Sequence, residues 1–269
     1  MIYNVDYHIT DICNLNCASC LHFCPLVPKD TEHKSMEQIT KDLTLLSKFK
    51  DHIEYISLMG GEPTLHPQLN DILYLTRKLF PNNNLRLFTN GLLWNKFEKW
   101  KDAIINNGYR LWISEYPYTE NYKEHTQEII KCIGEDSCTV IDNRMMYTGP
   151  LVLVRQNTNE QILNCRMRSY CCQLKDEHLY ICNYAAQIDY LYNEFPFLKN
   201  YIFREGYEKE DLNTATIDDI MAMLNYSIPA ICFYCNECTR CIDKYGNQLL
   251  PTIEFPWKQS EKRIEEWIS

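Results

Sequence analysis

The sequence predicts an α/β fold: a partial barrel of five or six βα units, followed by a small cysteine-rich module. Three observations predict it. Strand-like and helix-like apolar patterns alternate through the first 150 or so residues, the alternation stops near residue 157, and cysteines cluster both at the start and beyond that point.

In chain order, Val5–Ile9 is a short extended run, and Met36–Phe49 places Ile39, Leu43, Leu46 and Phe49 at helical spacing. Ile53–Met59 reads as a second strand and Gln68–Phe80 as a second helix. Leu85–Thr89 with Leu92–Ile105, then Arg110–Ser114 with Lys123–Ile133, repeat the pair. Thr139–Ile141 opens a fifth strand, and Leu151–Val154 is the candidate sixth. A full eight-stranded barrel does not fit in this length, whereas a partial one does. The sequence therefore divides into a barrel core at 1–157 and a module plus tail at 158–269. Within the module, 161–192 is rich in Cys and Tyr without a long helical period. Ile217–Leu224 is helix-like, and Lys258–Ile268 is expected to form a short amphipathic helix after Pro256.

Bulk composition excludes several classes. A formal charge of −9 with scattered basic residues argues against nucleic acid as a partner. No apolar stretch approaches the roughly 20 residues that span a bilayer, so no membrane partner is expected. Residues 1–10 carry Asp6 and His8 and lack the pattern of a signal peptide; a cytoplasmic location is the expectation. Fourteen cysteines are many for a protein in a reducing compartment, and their grouping at 13–24, 165–182 and 232–241 suggests metal rather than cross-links. Cys132 and Cys138 stand apart and are read as small apolar packing residues.

Cys13, Cys17 and Cys20 form a CxxxCxxC spacing directly after the first strand. Three thiolates so spaced can hold three corners of a four-iron cluster and leave the fourth iron open. Taken alone, the group also fits two other readings. Cys24-Pro25 follows at ferredoxin spacing and can close the cluster as a fourth ligand, making an electron carrier. The group can also hold structural zinc. Gly60-Gly61-Glu62-Pro63, at the end of the second strand, permits close backbone approach to a ligand.

Together, the cysteine spacing and the GGEP segment one βα unit later resemble the signature of the radical S-adenosylmethionine (SAM) enzymes. The resemblance implies a partial (β/α)6 TIM-like barrel, a 4Fe-4S cluster on Cys13, Cys17 and Cys20, and S-adenosyl-L-methionine chelated to the open iron. It implies that Gly60, Gly61, Glu62 and Pro63 contact the methionine amino group. Ser19 stands where the family has an aromatic residue. At the C-terminal ends of later strands, Asn90 and the pair Ser114 and Glu115 are further candidates for binding the cosubstrate; Asn143, Arg144, His8 and His22 are weaker guesses.

The later cysteines resemble the Cys-rich C-terminal auxiliary-cluster modules called SPASM and twitch. That resemblance implies one auxiliary 4Fe-4S cluster on Cys165, Cys182, Cys232 and Cys235. Cys238 and Cys241 remain alternative ligands, a zinc knuckle at 232–241 is the competing reading, and Glu177 replaces a glycine common before the second ligand. The implied activity is an oxidoreductase or epimerase acting on a sugar-like small molecule or cyclitol. The alternatives are modification of a ribosomally made peptide and a non-enzymatic two-cluster electron carrier. A flavodoxin or ferredoxin is the implied electron donor.

Overall fold

In the computed structural model, residues 1–147, 151–201, 208–235 and 254–267 are described. The chain divides into two compact units: Met1–Asn14 with Pro28–Met145, and Leu15–Val27 with Met146–Ser269.

The first unit is an α/β layer. Strands β1 (Ile2–Thr10), β2 (Ile53–Gly60), β3 (Asn84–Thr89), β4 (Tyr109–Glu115) and β5 (Cys138–Asp142) lie side by side in sequence order, and every neighbouring pair is parallel. Helices α1 (Met36–Ser47), α2 (Leu69–Leu79), α3 (Lys101–Asn106) and α4 (Tyr122–Ile133) form the crossovers, as parallel neighbours require. Ser35 caps α1 by accepting from the Gln38 N–H at 3.2 Å.

Side chains alternate across the strands, giving the layer two unlike faces. Val5, Tyr7 and Ile9, with Ile56, Leu58, Leu85, Leu87, Leu111 and Ile113, are buried. The Tyr7 hydroxyl donates to Asp42 of α1 at 2.8 Å, which marks this as the helix-facing side. On the opposite face Asn4 pairs in register with Tyr55, Asp6 with Ser57, and Ser57 with Arg86. Asn4 links Ser57 to Asp6 there, at 2.7 Å each way, and Arg86 stacks 3.5 Å from the Tyr55 ring centroid. An apolar outer and polar inner face is the pattern of a barrel wall, and the α/β partial barrel expected from sequence is the fold observed. The strand pattern set the β positions well. Two details of this region differ from expectation. Leu92–Ile105 breaks into a 3-10 turn (Trp94–Lys99) and the short α3, and Leu151–Val154 is no sixth strand. Leu151 makes only an isolated antiparallel bridge, to Cys235.

In the second unit β6 (Met145–Tyr147), whose last two residues belong to it, forms a two-stranded sheet with β10 (Glu254–Pro256). Helices α5 (Asn159–Leu163) and α6 (Met167–Tyr170) follow. Strands β7 (Cys172–Lys175), β8 (His178–Tyr180) and β9 (Lys209–Asp211) make an antiparallel meander. Asp176 and Glu177 both have positive φ, 48° and 67°, so they form the kind of two-residue turn that matches strand twist. Glu177 thus holds a left-handed conformation of the kind glycine favours.

Helix α7 (Asn183–Glu194) was not expected. Asn183, Tyr184, Ala185, Ala186, Gln187 and Ile188 are six consecutive buried residues, so no apolar stripe alternates with a polar one. Helix α8 (Ile217–Tyr226) matches expectation and starts with a reciprocal Thr216–Asp219 capping box. The expected tail helix is a correction: among the described residues of that stretch only Ile264–Glu266 turns, as one 3-10 turn. Backbone groups of residues 258 and 260 are instead spent on pairing with the loop at 16–18. No helix among the described residues is long and apolar enough to cross a membrane.

Candidate cluster and cosubstrate sites

Because β1–β5 are parallel, their C-terminal ends lie along one edge, and the candidate residues of the first unit collect there. Cys13 follows β1. The side chain of Asn90, just beyond β3, lies 3.9 Å from the Cys13 sulfur and donates to Asn14 Oδ1 at 2.8 Å.

Gly60 and Gly61 are required by the chain's own backbone. The Gly61 N–H donates to the Thr10 carbonyl at 2.9 Å and the Glu62 N–H to the Ile12 carbonyl at 2.8 Å, pinning this segment against the approach to Cys13. A Cβ on Gly60, whose φ is +152°, would stand 1.9 Å from the Thr10 oxygen; one on Gly61 would stand 2.2 Å from the Ile12 oxygen. The close approach read from the sequence is therefore made, but to main chain.

Glu62 is 1% exposed and works as a clamp. Its Oε1 accepts from the Thr64 N–H (3.1 Å), the Thr64 hydroxyl (2.6 Å) and the Thr89 hydroxyl (2.8 Å), and its Oε2 accepts from the Asn90 N–H (2.7 Å). Burial pushes the carboxyl upward and the four donors pull it back. Pro63 starts a 3-10 turn, where its missing N–H is harmless. The clamp fastens the end of β2 to the end of β3 and so fixes Asn90 beside Cys13. Ser114 and Glu115 end β4 half-buried, and the Glu115 carbonyl accepts from the Asn143 N–H at 2.9 Å. Arg144 pairs with Asp142 at the surface, and the buried His8 pairs with Asp11 at 2.7 Å.

In the second unit, the buried Cys17 receives the Trp257 indole N–H at 3.2 Å; burial pushes its thiol up to about 12 and the indole opposes that rise. The Cys24 thiol, joined by backbone N–H groups of 22–24, holds Cys20 below the ordinary thiol range. Ser19 is buried with φ +53° and donates to the Glu266 carbonyl at 2.5 Å, so the position before Cys20 anchors the tail.

The later cysteines do converge. Cys165, Cys182, Cys232 and Cys235 line one cavity together with Arg168 and Tyr184. Burial, then the neighbouring Cys182 and Cys165, push the Cys232 thiol far up; deprotonation there needs positive charge, which iron would bring. Four thiols ring a void here, and among the described residues no three His, Cys, Asp or Glu side chains are placed to hold a single metal ion. That donor set fits a cluster. Asn157 holds the 232–235 turn, donating to the Cys232 carbonyl (2.7 Å) and the Cys235 carbonyl (2.6 Å). Arg168, 4% exposed, donates to the carbonyls of Met223, Leu224 and Ser227 at the end of α8. Sequence reasoning missed both residues; a buried Arg or Asn gives no local pattern. Cys172 donates to the Arg168 carbonyl at 2.9 Å and does not line the cavity. Cys238 and Cys241 lie outside the described residues.

Residues 7–113 match the model of the Radical SAM superfamily. GTP 3′,8-cyclases from Photorhabdus laumondii and Chlorobaculum tepidum are 33% and 28% identical over 103 and 159 residues, covering 38% and 54% of this chain. The chain spans 31% and 46% of those relatives' own lengths. Among solved structures, BtrN in complex with AdoMet and 2-DOIA aligns with a TM-score of 0.58 at 15% identity, covering 89% of this chain and 94% of that one. Native anSMEcpe with bound AdoMet aligns at 0.51 and 12% identity, covering 91% and 93%. Both likenesses are of fold.

Proposed function

We propose that the chain, whose residues 7–113 match the model of the Radical SAM superfamily, is an enzyme of that kind abstracting hydrogen from a small polar substrate, a sugar or cyclitol, to dehydrogenate or epimerise it. In this reading Cys13, Cys17 and Cys20 hold a 4Fe-4S cluster, and Cys165, Cys182, Cys232 and Cys235 hold a second. When bound, these groups supply the electron that splits S-adenosyl-L-methionine into methionine and a 5′-deoxyadenosyl radical, and accept the electron that a dehydrogenated substrate gives up.

The protein's part is positioning. Gly60, Gly61 and Glu62 hold the approach to Cys13 and Asn90 in one arrangement, and the edge formed by Asn90, Ser114 and Glu115 is the proposed seat of the cosubstrate. We assign the barrel core to 1–157 and the auxiliary module to 158–269, with a flavodoxin or ferredoxin as the electron donor. The observation that carries the reading is the four-cysteine cavity in a chain that also has the CxxxCxxC loop. A second electron-accepting centre suits removal of two electrons from a carbinol carbon, and BtrN, whose fold spans nearly the whole chain, is described with 2-DOIA bound.

The relatives' names favour a second reading, GTP as substrate. One experiment separates the two: the reduced enzyme is given S-adenosyl-L-methionine with deuterated cyclitols, sugars, GTP or a peptide. Deuterium arriving in 5′-deoxyadenosine from a cyclitol or sugar supports the first reading. Transfer only from GTP or from peptide refutes it.

A further inference from the structure

The last described segment of the chain straps the cysteine loop. The Ala18 N–H donates to the Lys258 carbonyl (3.0 Å), the Ser260 N–H to the Asn16 carbonyl (2.5 Å), the Asn16 N–H to Gln259 Oε1 (3.1 Å), and the Asn16 side chain to the Ser260 carbonyl (2.9 Å). Ser19 adds its bond to the Glu266 carbonyl, and the buried Glu266 carboxylate accepts from Ser260 Oγ and the Glu261 N–H. A strap this well satisfied also fixes the side chain of Trp257, whose Nε1 lies 3.2 Å from the Cys17 sulfur. An indole N–H only donates and carries no titratable charge, so the bond persists at any working pH.

We propose that Trp257 is a positioning residue for electron transfer: its N–H raises the reduction potential of the cluster ligated by Cys17, and the strap at 257–260 holds it there. This rests on the reading of Cys17 as a ligand. Adding an electron to a thiolate-bound cluster increases negative charge on the sulfurs, so a donor aimed at one of them stabilises the reduced form more than the oxidised form. The electron itself comes from the one-electron donor.

The test is an anaerobic redox titration, followed by electron paramagnetic resonance, of the reconstituted full chain and its variants. The relevant signal is the one that Cys17→Ala abolishes. Trp257→Phe, which keeps the ring and loses the donor, is expected to lower the reduced-to-oxidised ratio at the wild-type midpoint about tenfold, equivalent to about 59 mV for one electron. Gln259→Ala removes one bond of the strap but keeps the indole, and is expected to shift the midpoint by much less than Trp257→Phe does. An unchanged midpoint in assembled Trp257→Phe, or an equal shift in both variants, overturns the inference. Should Trp257→Phe fail to assemble, wild-type chain labelled with ¹⁵N in its indoles must show nitrogen hyperfine coupling to the reduced cluster; its absence overturns the proposal. A Cys17→Ala protein that keeps both cluster signals instead overturns the assignment of Cys17 as a ligand.

Discussion

Replacing Glu62 with Gln tests the clamp that organises the candidate cosubstrate edge. The glutamate presents two acceptor oxygens to four donors, three on Oε1 and the Asn90 N–H on Oε2 at 2.7 Å. A glutamine has one oxygen. If that oxygen keeps the three donors, the amide NH₂ faces the Asn90 N–H, donor against donor, at a buried position. The loss is one charge-assisted hydrogen bond of about 1.5–3 kcal/mol, plus a penalty of about 1–3 kcal/mol for the buried N–H left unpaired; a net destabilisation of about 3 kcal/mol is expected. In urea at pH 8, with a slope of about 3 kcal/mol per molar for a chain of this size, the unfolding midpoint should fall by about 1 M. Thr89→Val removes one donor from Oε1 and also takes away the acceptor of the buried Gly91 N–H (3.1 Å), so it should cost about 2 kcal/mol. If Glu62→Gln stays within about 0.5 kcal/mol of wild type, the clamp is not what holds the β2 and β3 ends together.

Gly61→Ala should prevent accumulation of folded protein, because its Cβ would meet the Ile12 carbonyl oxygen at 2.2 Å; soluble yield with a native circular dichroism spectrum would contradict this. Burial first, against the pull of Asn4, Arg86 and Ser57, raises the Asp6 carboxyl from 3.8 to about 7. The native state therefore holds that proton more tightly than the unfolded chain, so stability is full below about pH 4 and falls as pH rises through 7. The loss is roughly 4 kcal/mol at 1.36 per pH unit, and Asp6→Asn should flatten the denaturation midpoints measured between pH 4 and 8. Cys232→Ala should halve the iron bound after reconstitution, from about eight to about four atoms per chain, since it removes one of the thiols around the four-cysteine cavity.

Much of the first unit was legible because its strands and helices carry their period locally. Val5, Tyr7 and Ile9 alternate toward the helices, and Ile39, Leu43 and Leu46 recur at helical spacing. The cysteine groups were legible from spacing, and four of them do share a cavity. What escaped depends on partners far away in sequence. Helix α7 is buried on nearly all sides and shows no amphipathic period. The tail forgoes its helix because its backbone pairs with a loop about 240 residues earlier. Arg168 and Asn157 hold carbonyls of α8 and the 232–235 turn, which no local motif announces. Glu62 was identified for contact with the cosubstrate, yet its visible bonds go to Thr64, Thr89 and Asn90, because a clamp across strands depends on register.

In the proposed function, the cysteine loop at 13–20 arms a sulfonium cosubstrate for homolysis. The decisive assay incubates the anaerobically reconstituted chain with dithionite and S-adenosyl-L-methionine and follows the products by chromatography and mass. The wild-type protein and Cys24→Ala should release 5′-deoxyadenosine and methionine, and Cys17→Ala should release none. A fully reduced wild-type protein that leaves the cosubstrate intact, with Cys24 required for its cluster, would contradict it.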